Sequence, residues 1–558
     1  MKNIILLITY IYLFQFSFSQ KNNTSNYHSP LGISKILSSN FGELRPNHFH
    51  MGIDLKTNGR SGYNIYAIEK GFVSRIKVSP YGYGKVIYID HPNGITSVYA
   101  HCSKFKGKID SITKITQKNE ENFAIEIFPK KNEIIVEKGE KIAISGNTGG
   151  STAPHLHLEL RDTKTGIALN PLIYGFDIND NRSPEIRGVK IYSLTKDGYQ
   201  LNKSIKRQTI KNGNTYSIAN NSINIPADYI TKYGGIGFAF DVIDRLDAAN
   251  NPCGLYGSYL LINGDTLFGQ EINKIPFELT RFINTHKDYK EYLLNKSKYH
   301  KSFKINENKL PIYTVKDLGI LKAKPGETFK VKYIAYDAKK NISILTFDLT
   351  INDGSINQND SLIHNSNFLM PNESISLTKN NTNVKFDVCT SYEPMFINKE
   401  NIESIIGYND IPVHNEYEIN IKNNDIKDGK HYIEITTSKD QKKKLNITYE
   451  KDKIKCKSNV FGTYELKRDT IPPYIKPKNI GKKISQNYIS WKIEDKESGI
   501  KDYDLFIDGD WCLLEYDYKN KEITFTNERR YKGYAELELI ILDNCGNITE
   551  WNKNVVFE

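Results

Sequence analysis

Two short segments of the chain carry metal-binding residue types at spacings that can converge. The first reads His50-Met51-Gly52-Ile53-Asp54. His and Asp at i and i+4 share a face of a helix, but they share a face of a strand as well. Gly52 between them, with Gly42 and Pro46 just upstream, argues for strand or loop. The second reads His155-Leu156-His157-Leu158-Glu159-Leu160. Alternation puts both histidines on one face and three leucines on the other, and two residues of strand separate the imidazoles by roughly 6–7 Å. Both can line one site, though only one need touch a metal. Catalytic zinc sites typically use three protein ligands from His, Asp, Glu and Cys and keep the fourth position for water. His50, Asp54 and His157 supply such a set. Each pattern alone is loose and also describes polar residues on a solvated sheet face.

The surroundings are more specific. A Gly-rich stretch, residues 139–154, runs directly into His155. Upstream lie Ala67-Ile68-Glu69-Lys70-Gly71-Phe72-Val73, Gly82-Tyr83-Gly84, Asp90-His91 and Tyr99-Ala100-His101. In order and spacing, residues 30–175 resemble the M23 family of lysostaphin-type (LytM-like) peptidoglycan metallopeptidases. The resemblance implies a small, open antiparallel β-sheet barrel with a metal in a long groove. It implies His50, Asp54 and His157 as Zn2+ ligands, and His101 and His155 as catalytic histidines. The implied activity is hydrolysis of amide bonds in peptidoglycan stem peptides or cross-links.

The chemistry of the residues agrees. Zinc lowers the pKa of its bound water toward about 7, which makes a nucleophile at neutral pH. No HExxH motif is present, so no adjacent Glu can serve as base. Histidine, with an unperturbed pKa of about 6.5, is the remaining candidate. One of His101 and His155 would deprotonate the water, while the other would help stabilise the oxyanion or protonate the leaving amine. The sequence leaves that assignment open. By alternation His48 shares a face with His50, which allows it to support a metal ligand from behind or to touch substrate. His91 sits in a turn and reads as solvated. Glycines 146, 149 and 150 read as a loop shaped for close backbone approach.

Two features depart from a minimal family pattern. A long charged segment, residues 103–136, follows His101, and a lid, a substrate clamp or an autoinhibitory loop are open readings of it. Position 44 is leucine, where some family members place a tyrosine about six residues before the first His as a transition-state contact. A non-catalytic relative, an M23-like binding module regulating other cell-wall hydrolases, is the alternative reading. Such relatives usually lack one or more ligands, whereas all five key residues are present here. A third reading makes the later domains the functional part, as an adhesin or wall-docking scaffold.

The elements that must position these residues read as all-β. Short alternating runs such as Lys85-Val86-Ile87-Tyr88-Ile89 dominate, separated by Gly, Asn, Asp and Pro clusters. Helix is expected only in small pieces, for example 288–297. The chain of 558 residues is long enough for several cores. Residues 1–19 carry Lys2, an apolar run and small residues at Ser17 and Ser19, which reads as a secretory signal peptide. Residues 27–178 form the metallopeptidase-like domain. A weak internal repeat beyond a polar linker suggests Ig-like β-sandwiches at 184–352, with an insertion at about 269–325, and at 472–558. Residues 353–471 are β-rich and unclassified. The six cysteines are too few for a disulfide scaffold, and Cys512 with Cys545 is the first candidate for a bridge. No later stretch reaches membrane-spanning length, so the expected location is secreted, periplasmic or envelope-associated. The net charge of +11 is spread along the chain. There is no basic stripe for nucleic acid, while a mild positive balance suits an anionic polymer such as peptidoglycan. Cell-envelope proteins are the expected partners of the Ig-like domains.

Overall fold

The computed structural model describes residues 27–358, 368–397, 404–405, 411–422, 428–437, 440–450 and 453–558. The expected signal peptide, residues 1–19, lies outside them. The protein is nearly all β, with 49% of residues in strand and 8% in helix. Among the described residues, no helix is long and apolar enough to cross a membrane.

The N-terminal domain is built on one antiparallel sheet. Its strands are Leu37–Ser39 (β1), Ile53–Lys56 (β2), Asn64–Tyr66 (β3), Gly71–Val78 (β4), Lys85–Asp90 (β5) and Ile95–Phe105 (β6). Then come the helix Gly107–Asn119 (α1) and strands Ile125–Ile127 (β7), Ile135–Val136 (β8), Lys141–Ser145 (β9), His155–Asp162 (β10) and Ala168–Leu169 (β11). The sheet runs β1-β2-β10-β6-β5-β4-β7, with β9 joined to β6 and β3 to β9. Alternation along β10 sends Leu156, Leu158 and Leu160 into a core shared with Ile53, Leu55, Ile87 and Tyr99. That burial fixes the register, because a slip of one residue would drive the histidines into the core.

Residues 103–136 are folded into the domain and do not hang over the ligand strands. Helix α1 buries Ile109, Thr113 and Gln117. Strands β7 and β8 both pair with β4, at the opposite end of the sheet from β1 and β2. The lid, clamp and loop readings of this segment therefore give way to an extension of the far sheet edge.

Further along, residues 185–351 place two sheets around one core. Val189, Ile191, Phe238 and Phe240 come from one sheet, and Leu260, Phe268, Tyr333 and Phe347 from the other. Four- and five-stranded sheets do the same in the C-terminal part around Trp491, Leu505 and Leu539. The two units share a detail. Asp337 accepts from Asn341 N at 2.8 Å and Asn341 Nδ2 at 2.7 Å, and Asp543 accepts from Asn547 N and Nδ2 at the same distances. The helix expected over 288–297 is Tyr289–Asn295, with the Asp288 side chain capping Glu291 N. Around it the chain returns to the N-terminal domain. The strand Lys274–Ile275 pairs with β11, and Ile272, Ile283 and Leu310 share a core cluster with Phe41, Leu44 and Phe49. Cys512 and Cys545 are not bridged, and all six cysteines are free thiols. Cys512 Sγ lies 3.5 Å from the Tyr531 hydroxyl.

Candidate metal centre

Strand pairing brings the two motifs together. His157 on β10 lies directly opposite Asp54 on β2, and on its other side faces Ala100 on β6. Gly52 permits this approach, since a Cβ there would stand 2.3 Å from Leu158 O and 2.9 Å from Glu159 Cγ. His50 precedes β2 and folds back over it. His50 Nε2 is 3.0 Å from Asp54 Oδ1 and 3.1 Å from His157 Nδ1, and His157 Nδ1 is 2.8 Å from Asp54 Oδ1. All three residues are buried.

The neighbours fix which nitrogen of each imidazole faces this triangle. His50 Nδ1 lies 2.8 Å from Asn40 O, an oxygen that can only accept, so Nδ1 carries the hydrogen and Nε2 presents a lone pair. His157 Nε2 donates to Glu159 Oε1 at 2.9 Å, so Nδ1 presents its lone pair. Asp54 Oδ1 can only accept. Three acceptors therefore face one another at 2.8–3.1 Å, an arrangement that calls for a cation or a proton between them. Donors about 2.0–2.2 Å from one tetrahedral zinc stand roughly 3.3–3.5 Å apart, so the triangle accommodates the ion after opening by a few tenths of an ångström. The donor set of two imidazoles and a carboxylate, each imidazole braced by an acceptor behind it, fits zinc.

Without a cation the same place draws a proton. Burial pushes His157 down, but hydrogen bonds to Asp54 and Glu159 outweigh it and raise the imidazole to about 9. Burial likewise pushes the Asp54 carboxyl up, and His50, His155 and His157 outweigh that and hold it well below the usual carboxylate range.

Glu159 had no role in the reading of the sequence. Its side chain is fully buried beneath the site. It accepts from His157, from the Tyr83 hydroxyl, and from Arg161 Nε at 2.7 Å and Nη2 at 2.6 Å. Burial raises its carboxyl, yet Arg161 first and His157 next lower it to about 2. Ser39, Asn40 and Glu43 form a similar brace behind His50. Ser39 Oγ lies 3.0 Å from His50 Nδ1 and donates to Glu43 Oε2 at 2.5 Å. The visible signal for Glu159 was its place in the alternation, two residues beyond His157 on the same face. Nothing in the sequence pointed to the brace at 39–43.

His101 and His155 stand at the open side. Their ring centroids are 4.9 Å apart, and His101 lies 5.9 Å from His157. His101 has a left-handed backbone, φ 61°, between register shifts at Lys85/Ile87 and Cys102/Lys104. A non-glycine residue held this way costs about 1–3 kcal/mol, and such strain gathers at functional sites. Its Nδ1 donates to Thr148 O at 2.9 Å. Burial, with His157 and His155 adding, lowers His101 to about 3, so the ring is neutral and Nε2 is free to accept. His155 Nδ1 donates to Ala153 O at 2.8 Å, and its Nε2 is 3.4 Å from Asp54 Oδ1.

Of the two other histidines singled out in the sequence, His91 differs from expectation. His91 is buried, with Nδ1 2.8 Å from Lys70 O and Nε2 2.7 Å from Ser97 Oγ, so it ties a turn to the sheet and is not solvated. His48 is exposed beside the site. Leu44, in place of a tyrosine, is core.

A small antiparallel β domain thus gathers two histidines and an aspartate that could hold a metal ion, with two further imidazoles beside them. Residues 48–119 match the model for peptidase family M23. An uncharacterized metalloprotease of Haemophilus influenzae is 34% identical over 131 residues, which are 24% of this chain and 21% of that protein. The DD-carboxypeptidase/endopeptidase Mpg of Neisseria meningitidis serogroup B is 32% identical over 148 residues, 26% of this chain and 27% of that protein. Among solved structures, the catalytic domain of the prophage-encoded M23 protein EnpA of Enterococcus faecalis is 27% identical. It aligns over 26% of this chain and 95% of that chain, with a TM-score of 0.20. The chain thus spans about a fifth to a quarter of the length of the curated relatives it matches. The similarity to peptidase family M23 falls within the N-terminal domain.

Proposed function

We propose that the protein is a zinc-dependent endopeptidase of the cell envelope that hydrolyses amide bonds in peptidoglycan stem peptides or cross-links. One observation carries the reading: three lone pairs, on His50, Asp54 and His157, converge within 3.1 Å, and the imidazoles of His101 and His155 stand beside them, with His155 Nε2 3.4 Å from Asp54 Oδ1. The similarity to family M23 and to a DD-carboxypeptidase/endopeptidase supports peptidoglycan as the substrate.

His50, Asp54 and His157 would hold the zinc, which when bound polarises a carbonyl and acidifies water. The chain's own groups do the rest. Thr148 O and Ala153 O hold the Nδ1 hydrogens of His101 and His155, so each ring keeps Nε2 for the reaction. One Nε2 accepts the proton of the attacking water, and the imidazolium so formed delivers that proton to the leaving amine. Glu159 keeps Nδ1 of His157 as the ligand atom by holding the hydrogen on Nε2.

Export directed by residues 1–19 would bring the enzyme to its substrate. The two-sheet units at 184–352 and 472–558 are proposed as Ig-like domains that meet other envelope proteins. The test is digestion of purified peptidoglycan. Wild type should release peptide fragments, and His155→Ala should slow release about 10²–10⁴-fold. Equal inertness of both, with zinc bound, would favour the regulatory binding module.

A further inference from the structure

The loop that orients both imidazoles is tied to its own domain at several points: Thr148 Oγ1 donates to Cys102 O at 2.8 Å, Gly150 N to Gly82 O at 2.7 Å, and Thr57 Oγ1 to Pro154 O at 2.9 Å. It leaves the sheet at Gly146, returns at His155, and closes on a backbone bridge between those two residues. Thr148 O, Ala153 O and Ser151 Oγ within it are the partners of His101 and His155. Three of its members are glycine, and Gly146 and Gly149 are buried. Gly149 lies so close to the 82–84 turn that a Cβ would stand 2.3 Å from Gly84 N.

A residue some 370 positions away adds an anchor from the C-terminal domain. Lys519, on the turn between strands Leu514–Asp517 and Glu522–Thr526, donates from Nζ to Asn147 O at 2.5 Å and to Ser151 O at 2.9 Å. These carbonyls flank Thr148, the partner of His101, and the second lies two residues before Ala153, the partner of His155. The turn is held in place by contacts of other kinds. Tyr518 and Tyr81 pack with ring centroids 4.8 Å apart, and Leu513 and Tyr516 pack against the N-terminal core. Glu515 Oε1 pairs with Lys85 Nζ at 2.7 Å, and Glu528 Oε2 with Lys114 Nζ at 2.5 Å.

We infer that Lys519 of the C-terminal domain is a positioning residue for the reaction, which clamps the 146–154 loop so that His101 and His155 keep their orientation. The inference rests on the hydrolase reading for its kinetic consequence, but not for its structural one. The ammonium bridges two carbonyls across the loop and touches neither metal ligands nor substrate. The C-terminal domain is then part of the working site as well as an envelope contact.

The experiment uses the full chain with Lys519→Ala and Lys519→Arg. Bound zinc is counted, exchange of amide hydrogens in 146–154 is followed, and kcat and KM are measured on soluble peptidoglycan fragments. In Lys519→Ala the zinc content should stay at the wild-type value. Exchange in the loop should quicken, and kcat should fall about 10–100-fold with KM little changed, as expected for misplaced catalytic groups. Lys519→Arg, which keeps the charge and the donors, should recover most of the loss. Unchanged exchange and unchanged kcat in Lys519→Ala would overturn the inference. If wild type were inactive, the hydrolase reading would fall, and the exchange measurement would still decide whether Lys519 holds the loop.

Discussion

At the scale of single residues, the site is a problem of proton placement. Each imidazole has one nitrogen tied to an acceptor, so its other nitrogen is committed to the site. Glu159 is the deepest of these partners, and two outcomes follow. Glu159→Gln should weaken zinc binding about 10–100-fold, measured by competition with a chelator. Acid stability of the metal-free protein should change as well. A carboxyl at about 2 in the folded state and 4.5 unfolded contributes stability that is complete above pH 4.5. That stability is lost as pH falls from there through 2, and amounts to about 3 kcal/mol. Wild type should therefore lose stability over this interval more steeply than Glu159→Gln, read from denaturant midpoints. The residues that gather here were legible because the ligands announce themselves by type: His, Asp and His at strand spacing. The braces were not. Asn40, Thr148 and Ala153 act through backbone carbonyls, which every residue has, and no side-chain pattern marks them.

At the scale of elements, alternation carried most of the information. Strand β10 was readable as three leucines against two histidines, since burial of one face decides the register. What alternation misses is backbone that departs from it. The left-handed φ of His101 turns its ring toward the site at a point where the sequence reads as plain strand. The charged segment at 103–136 looked like surface, yet α1 buries a single stripe of Ile109, Thr113 and Gln117, too narrow to stand out among lysines. Close approach between loops is testable directly. Gly149 has φ 69° and no room for a Cβ against Gly84 and Gly82. Gly149→Ala should cost about 1–3 kcal/mol of local stability and disturb the Thr148 partner of His101. The expected result is a lower first thermal transition together with reduced activity.

At the scale of the whole molecule, the chain folds back so that distant parts wall the N-terminal domain. Residues 272–312 share a core cluster with Phe41 and Phe49, and the C-terminal unit brings Leu513 and Tyr516 against the first core. At the second contact Lys85 with Glu515 sets a buried lysine against a half-exposed glutamate, whereas Lys114 with Glu528 joins two partly exposed side chains. Pairs of that kind contribute about 0–1 kcal/mol. The apolar contacts should therefore dominate docking. Raising salt to about 0.5 M, which shortens electrostatic range to a few ångströms, should leave the compact arrangement intact in small-angle scattering. Tyr516→Ala should expand it. None of this was visible in the sequence, because contacts between residues hundreds of positions apart leave no local period.

The central claim is that His50, Asp54 and His157 share one zinc ion. Metal analysis of the purified full chain, beside His50→Ala, Asp54→Asn and His157→Ala, tests it most directly. The account predicts about one zinc per wild-type chain, as in single-site metallopeptidases, and a strong loss in each variant. Wild type free of zinc after purification in its presence, or variants that keep the metal, would contradict it.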